Sequence, residues 1–240
     1  MKRLLVDKGN TLIKWKLLET DSWQDVVTHS GNLKEFSAWL SDGQISDPSE
    51  VRVDVSAVRG IENLTEVFAE LNFNQVFFHK TQAESNGVKN SYEVPERMSI
   101  DRWLVMLAGQ QQFAPGFVVV DAGTAFTIDV VEAGVHQGGY ILPGVNMAQQ
   151  ALYGNTDKVK PYGEEQAENP DGQLGKNTVQ CVEFGILNQL LAIVRQVQQD
   201  FPQLSVLLTG GDAALFAPYL KQAVLDADLV FKGLFTIGKV

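Results

Sequence analysis

Residues 4–15 of this 240-residue chain read LLVDKGNTLIKW, and residues 118–129 read VVVDAGTAFTID. In both, an apolar run ends in valine and aspartate, passes one residue to a glycine, crosses small polar residues and turns apolar again. An apolar run bounded by glycine reads as a strand entering a tight turn. The chain therefore builds a strand–glycine turn–strand unit twice, nearly half its length apart. That doubling predicts two related α/β units with a boundary near Pro115–Gly116, giving domains over residues 1–114 and 115–240.

The rest of each half alternates helices and strands. VRVDVSAV (51–58) and NQVFFHK (74–80) read as strands, with the helical spacing of IENLTEVFAEL between them. NLKEFSAWL carries a capping box at Asn32 and Glu35. SIDRWLVMLAGQQ (99–111) reads as a helix with Ser99 as its N-cap. After the break at FAPGF (113–117), FVVVDAG, AFTIDVVE and HQGGYILPG read as strands, and 155–176 as a long polar loop. A helix over about 178–199 with Thr178 at its N-cap, the strand SVLLTGG, a helix over about 212–224 and the strand LVF complete the chain.

A glycine turn after a strand points backbone N–H groups into a concavity that suits phosphate oxygens. Gly9 and Gly123 allow close backbone approach. Asn10, Thr11 and Thr124 add side-chain donors, and Asp7 and Asp121 can hold a cation or its waters beside phosphates. Taken singly, either turn is equally well read as an ordinary hairpin whose acid caps its own backbone. The chain has no G-x-x-x-x-G-K-[ST] loop and no G-x-G-x-x-G after a strand, so a phosphate site here is of the paired-hairpin kind. A formal charge of −10 argues against nucleic acid or an anionic membrane as the main partner. Asp7 cuts the first apolar stretch too short for a signal peptide, no segment approaches a transmembrane length, and the single Cys181 fits a reducing cytoplasm. His29, His79 and His136 are scattered without ligand-like spacing.

Six blocks, in order along the chain, resemble the type III pantothenate kinases, of the superfamily that includes acetate kinase, hexokinase and actin. DKGNT (7–11) resembles the first phosphate motif, and YEVPERMSIDRW (92–103) the block containing Tyr, Pro and Leu-Gly-x-Asp-Arg. DAGTAFTID (121–129) resembles the second phosphate motif. GGYILPG (138–144), KNTVQCVEFG (176–185) and LLTGG (207–211) match the remaining blocks. The resemblance implies two ribonuclease H-like (actin-like ATPase) domains around a central cleft, and ATP-dependent phosphorylation of pantothenate, the first step of coenzyme A biosynthesis. It implies nucleotide binding by Asp7, Lys8, Gly9, Asn10, Thr11, Leu12, Ile13, Lys14 and Thr124, with Gly210 and Gly211 beside the adenine. It implies Asp101 as the base, and Tyr92, Ser99, Ile100, Asp101, Arg102 and Thr178 at the substrate. Asp121 is implied as ligand of a monovalent cation (K⁺ or NH₄⁺), Asp129 as support for the second hairpin, and Mg²⁺ as arriving with ATP. A cytoplasmic homodimer, meeting near the helix after Asp101, is also implied.

Each implied role has a plain alternative. An acid in a first helical turn favours the helix dipole without further function. Arg102 could serve an ion pair, Tyr92 could be a half-buried aromatic, and Trp103 and Met106 could be core. Two positions depart from the family pattern: Lys8 stands where an aliphatic residue is usual, and Ser99 where glycine is usual. Two other functions compete, a kinase for a different small hydroxy compound and a non-catalytic nucleotide-binding regulator. Tyr92 and the 99–102 block argue against the first, and Asp7, Asp101 and Asp121 against the second.

Overall fold

A computed structural model describes residues 2–9, 12–161 and 174–239. The chain opens with β1 (Arg3–Lys8), β2 (Ile13–Leu18), β3 (His29–Gly31), α1 (Leu33–Ser41), β4 (Arg52–Ala57), α2 (Ile61–Glu70) and β5 (Gln75–Phe78). β6 (Glu84–Ser85), β7 (Val88–Lys89) and α3 (Ile100–Phe113) follow. Next come β8 (Gly116–Ala122), β9 (Ala125–Glu132), β10 (Val135–Pro143), α4 (Val145–Asn155) and α5 (Thr178–Asp200). The chain closes with β11 (Ser205–Thr209), α6 (Ala213–Phe216), β12 (Val224–Leu225) and α7 (Leu229–Ile237).

These elements form two compact units. The first holds Met1–Ala114, Gly134–His136 and Asp228–Val240, and the second Pro115–Ala133 and Gln137–Ala227. The division of the sequence into 1–114 and 115–240 thus differs from this grouping at Gly134–His136 and at the last helix.

In the first unit the strand order is β3-β2-β1-β4-β5. β1 and β2 pair antiparallel around Gly9, whose N–H donates to the Leu12 carbonyl at 3.1 Å. β1, β4 and β5 run parallel, with Asp7 opposite Ser56. Alternation along β1 and β4 sends Leu4, Val6, Val53 and Val55 to a core under α1 and α2. The opposite face carries Arg3, Leu5, Asp54 and Ser56, all buried. The Asn32–Glu35 capping box forms as its spacing predicts.

α3 packs on α7, and Trp103 through Ala108 are buried without a break. The apolar face of RWLVMLAG is therefore internal to this unit and is not a free surface for a second copy, contrary to the interface expected there. α7 itself corrects the strand expected at LVF. A three-residue apolar run has no periodicity to separate helix from strand, whereas the buried set Leu229, Phe231, Leu234, Phe235 and Ile237 shows a helix bearing apolar residues on most sides.

The second unit has the strand order β12-β11-β8-β9-β10. Val118, Val120, Phe126 and Ile128 meet Leu190, Leu191 and Val194 of α5 in its core. The helix expected over 212–224 is only α6 and a following 3₁₀ turn at Ala217–Tyr219, because Pro218 has no N–H to continue it. α4 went unread in the sequence. Its Val145, Ala148 and Tyr153 pack on the core, yet none of its residues is fully buried, so its apolar stripe is weak. Of the expected 155–176 loop, 162–173 lie outside the described residues. Among the described residues no helix is long and apolar enough to cross a membrane.

Candidate active site

In the first unit, the carboxyl ends of β1 and β4 bring Asp7 and Ser56 side by side on one face. Open α/β sheets hold ligands at these ends. Ser56 is fully buried, and its Oγ donates to Asp101 Oδ1 at 3.1 Å. Asp101 stands in the first turn of α3, half-buried. Burial pushes its carboxyl above the usual carboxylate range, and the Ser56 hydroxyl opposes that rise only in part.

The next residue on α3, Arg102, is 5% exposed, and its Nη1 donates to the Tyr92 hydroxyl at 2.8 Å. The guanidinium carbon stands 5.6 Å from the Tyr92 ring centroid. Tyr92 is anchored in turn: its backbone N–H donates to Asn90 Oδ1 at 2.9 Å. Asp101, Arg102 and Tyr92 therefore gather in one unit, as the family block implies, with Ser56 as a member that sequence reasoning missed. A strand serine has no periodic signal; only its register opposite Asp7 marks it.

Ser99 occupies the N-cap position with φ −62° and ψ 144°, extended backbone that any residue adopts, so serine in place of glycine is unstrained. Its side chain makes no capping bond, which corrects the capping role expected for it. Ser99 and buried Ile100 line a cavity of about 230 Å³ with Ala57, Val58, Phe78 and His79.

Around the first glycine turn, the Lys8 stem lies against Gly60 ahead of α2. Leu12 is exposed, and the Ile13 side chain is buried in the core, leaving that residue only its backbone for a ligand. Lys14 pairs opposite Asp7 across the hairpin and points to solvent. Asn10 and Thr11 lie outside the described residues.

The second unit repeats the turn: the Gly123 N–H donates to the Ala125 carbonyl at 3.1 Å. Two distant segments close around it. The Gly144 N–H donates to the Thr124 carbonyl at 3.0 Å, and a Cβ at Gly144 would collide with the Gly123 carbonyl. Gly210 has φ +97°, and a Cβ there would strike the Ala122 carbonyl and stand 2.5 Å from Asp121 Oδ1. The Asp212 N–H meanwhile donates to the Ala122 carbonyl at 2.8 Å. Both positions need glycine because backbone approaches backbone.

Asp121 pairs in register with Thr127 on β9 and Thr209 on β11, which puts all three on one sheet face. The Thr127 hydroxyl is buried without a hydrogen-bond partner among the described residues. A carboxylate flanked by hydroxyl oxygens, one of them unsatisfied, suits a hard cation rather than a soft one. Among the described residues no three His, Cys, Asp or Glu side chains converge as a metal cage. The oxygen donors fit a cation that completes its shell from backbone, water or phosphate.

Asp129 is fully buried on β9. Thr178 stands at the start of α5. The N-cap there is Asn177, whose Oδ1 accepts from the Gln180 N–H at 2.8 Å, so Thr178 is the first helical residue and not the cap expected.

The family model for type III pantothenate kinases matches residues 3–200. A type III pantothenate kinase of Acinetobacter baumannii is 36% identical over 98% of this chain and 96% of its own length. Among solved structures, a Campylobacter jejuni protein described as a Baf family transcriptional activator aligns with TM-score 0.65 at 22% identity, covering 98% of this chain and 97% of its own. The activator of 2-hydroxyisocaproyl-CoA dehydratase from Clostridium difficile, with bound ADPNP, aligns with TM-score 0.54 at 10% identity, over 99% of this chain and 93% of its own. At these identities the structures carry the fold alone, the two-sheet α/β architecture of actin-like ATPases. Matched over most of its length, this chain belongs to the type III pantothenate kinase family, the ATP-using kinases that phosphorylate pantothenate in coenzyme A biosynthesis.

Proposed function

We propose that this chain transfers the γ-phosphoryl group of ATP to the primary hydroxyl of pantothenate, with Asp101 as the base. The new bond joins the hydroxyl oxygen to the γ-phosphorus, the bond to the bridging oxygen of ADP breaks, and Asp101 takes the hydroxyl proton and later returns it to water. The environment of Asp101 is the strongest support. Burial raises the Asp101 carboxyl, which makes it a better proton acceptor than an exposed one. The adjacent Arg102–Tyr92 pair offers a buried cation and a hydroxyl for the acceptor's carboxylate, with Ser99, Ile100 and Thr178 as further acceptor contacts.

Asp7 through Lys14 and Thr124 are the nucleotide contacts in this proposal, and Gly210 and Gly211 lie beside the adenine. Mg²⁺ bound with the nucleotide would neutralise phosphate charge. Asp121, with the Thr127 and Thr209 hydroxyls, would hold a monovalent cation, K⁺ or NH₄⁺.

ADP release measured over a panel of small alcohols tests the whole assignment. Pantothenate should be strongly preferred, and replacing potassium with a bulky organic cation should abolish most turnover. Equal rates in both salts would remove the cation from Asp121, and an equal rate with another alcohol would remove pantothenate as the substrate.

We also infer a cytoplasmic homodimer that engages neither nucleic acid nor membrane, and the charge of −10 supports the last part of that reading. With α3 buried, exposed apolar side chains that a second copy could cover include Tyr140 and Ile141 on β10, 50% and 63% exposed, and Met147 on α4. An active monomer in sedimentation at working concentration would overturn the dimer.

A further inference from the structure

His136 has no part in the chemistry described above, yet it is 1% exposed. It follows Val135, which pairs beside Lys89 of β7. Its Nδ1 shares a hydrogen bond of 2.8 Å with Ser91 Oγ. Its ring lies 6.2 Å from the Tyr92 ring, tilted by 34°. Burying an imidazole costs solvation, and a buried polar ring is kept where its bonds are made.

Here the bond reaches the residue next to Tyr92. The segment carrying Tyr92 is then held at three points: Asn90 fixes its backbone N–H, Arg102 its hydroxyl, and His136 the preceding serine. Ser91 is itself exposed, so without the imidazole this point of the segment would be free to move.

We propose that His136 is a positioning residue for the acceptor. By holding Ser91 it fixes the Tyr92 ring, and through the Tyr92 hydroxyl the Arg102 guanidinium, before pantothenate arrives. Groups ordered in advance lose less freedom on binding, so the gain falls on acceptor affinity and not on phosphoryl transfer. The proposal rests on the assignment of Tyr92 and Arg102 to the acceptor carboxylate.

The test measures kcat and the separate KM values for pantothenate and ATP on purified Ser91→Ala, His136→Phe and His136→Gln, with Tyr92→Phe and Arg102→Gln alongside. Ser91→Ala removes the hydroxyl at an exposed position and leaves the buried ring in place, so it decides the matter even where His136→Phe fails to fold. The Ser91→Ala and His136→Phe variants should raise KM for pantothenate about 2- to 10-fold, the span of one net hydrogen bond, with kcat and KM for ATP unchanged. His136→Gln, whose amide can still reach Ser91, should recover part of the loss. A normally melting Ser91→Ala with wild-type KM for pantothenate overturns the proposal. If Tyr92→Phe and Arg102→Gln raise that KM in the same experiment, only the role of His136 falls; if they too leave it unchanged, the acceptor assignment falls with it.

Discussion

Asp54 and Ser56 alternate onto one face of β4, and Ser56 carries the bond to Asp101, so two carboxylates share one side of the first unit's sheet in opposite environments. Asp54 is 0% exposed. Arg3 Nε reaches it at 2.6 Å, His79 Nε2 at 2.7 Å and Arg52 Nε at 3.0 Å. Burial alone would raise its carboxyl, but His79, Arg52 and Arg3 together outweigh that and hold it below the usual carboxylate range. Asp101 is less buried by area, yet among the described residues the Ser56 hydroxyl is what opposes desolvation of its carboxyl, which is raised. Depth of burial does not decide which acid can act as a base; the count of cations around it does. Carboxylates pushed apart in this way mark a division between scaffold and chemistry.

The largest effect should come from Asp101→Asn, which keeps the shape and removes the base. Turnover should fall by about 10² to 10⁴, the span of a positioned general base, while ATP affinity holds. A carboxyl raised in the folded state contributes stability at low pH and loses it as pH rises through the raised pKa. At neutral pH the Asn variant should therefore melt no lower than wild type. Wild-type kcat/KM should fall on the acid side with a pKa above the usual carboxylate range. A variant that melts and binds ATP normally but still turns over at wild-type rate would end Asp101's role as base and its contrast with Asp54.

Asp54→Asn should reverse the pattern. Removing the charge leaves Arg3, Arg52 and His79 around a neutral amide, a loss of about 3–5 kcal/mol of stability for a broken buried ion cluster. Urea unfolding measures it. The depressed carboxyl stabilises the wild type at pH above its unfolded pKa, and that contribution fades as pH falls through its folded pKa, so the gap between variant and wild type should close in acid. A gap constant with pH would mean that the cluster acts by packing alone.

Much of this was legible before the structure, and the exceptions share a cause. The two glycine hairpins stood out because strand alternation and turn chemistry are local, and the start of α3 showed in a serine followed by helical apolar spacing. What closes the second turn was not legible. Gly144 and Gly210 press backbone onto residues 121–124 from segments far along the chain, whereas among the described residues the nearest atom to a Cβ added at Gly9 is the Leu12 carbonyl oxygen at 3.7 Å. The partners of Asp54 likewise come from residues 3, 52 and 79, and their meeting follows from β-strand register, which no single segment encodes. α7 stands outside that cause: Lys232 and Gly233 cut its apolar positions into runs too short for local pattern to separate helix from strand. Asp101 could be named from its motif, but its raised carboxyl depends on Ser56 and on burial that only tertiary packing supplies.

Ser56→Ala carries the smallest expected effect and the finest test of the contrast. Ser56 Oγ donates the hydrogen bond that holds Asp101 down against desolvation. Alanine fits the same buried space and leaves no unsatisfied group of its own, so the fold should survive. Without the donor the ionised form of Asp101 loses one hydrogen bond, worth about 0.5–1.5 kcal/mol net. The Asp101 carboxyl should therefore rise further. The acid limb of kcat/KM should move to higher pH, with turnover at alkaline pH near wild type because the base itself remains. The direction is the decisive part. If Asp101 behaved like Asp54, pinned by charge, losing one neutral hydroxyl would leave the limb where it was; a limb that stays or moves to lower pH would show that the two carboxylates do not differ in the way their surroundings imply.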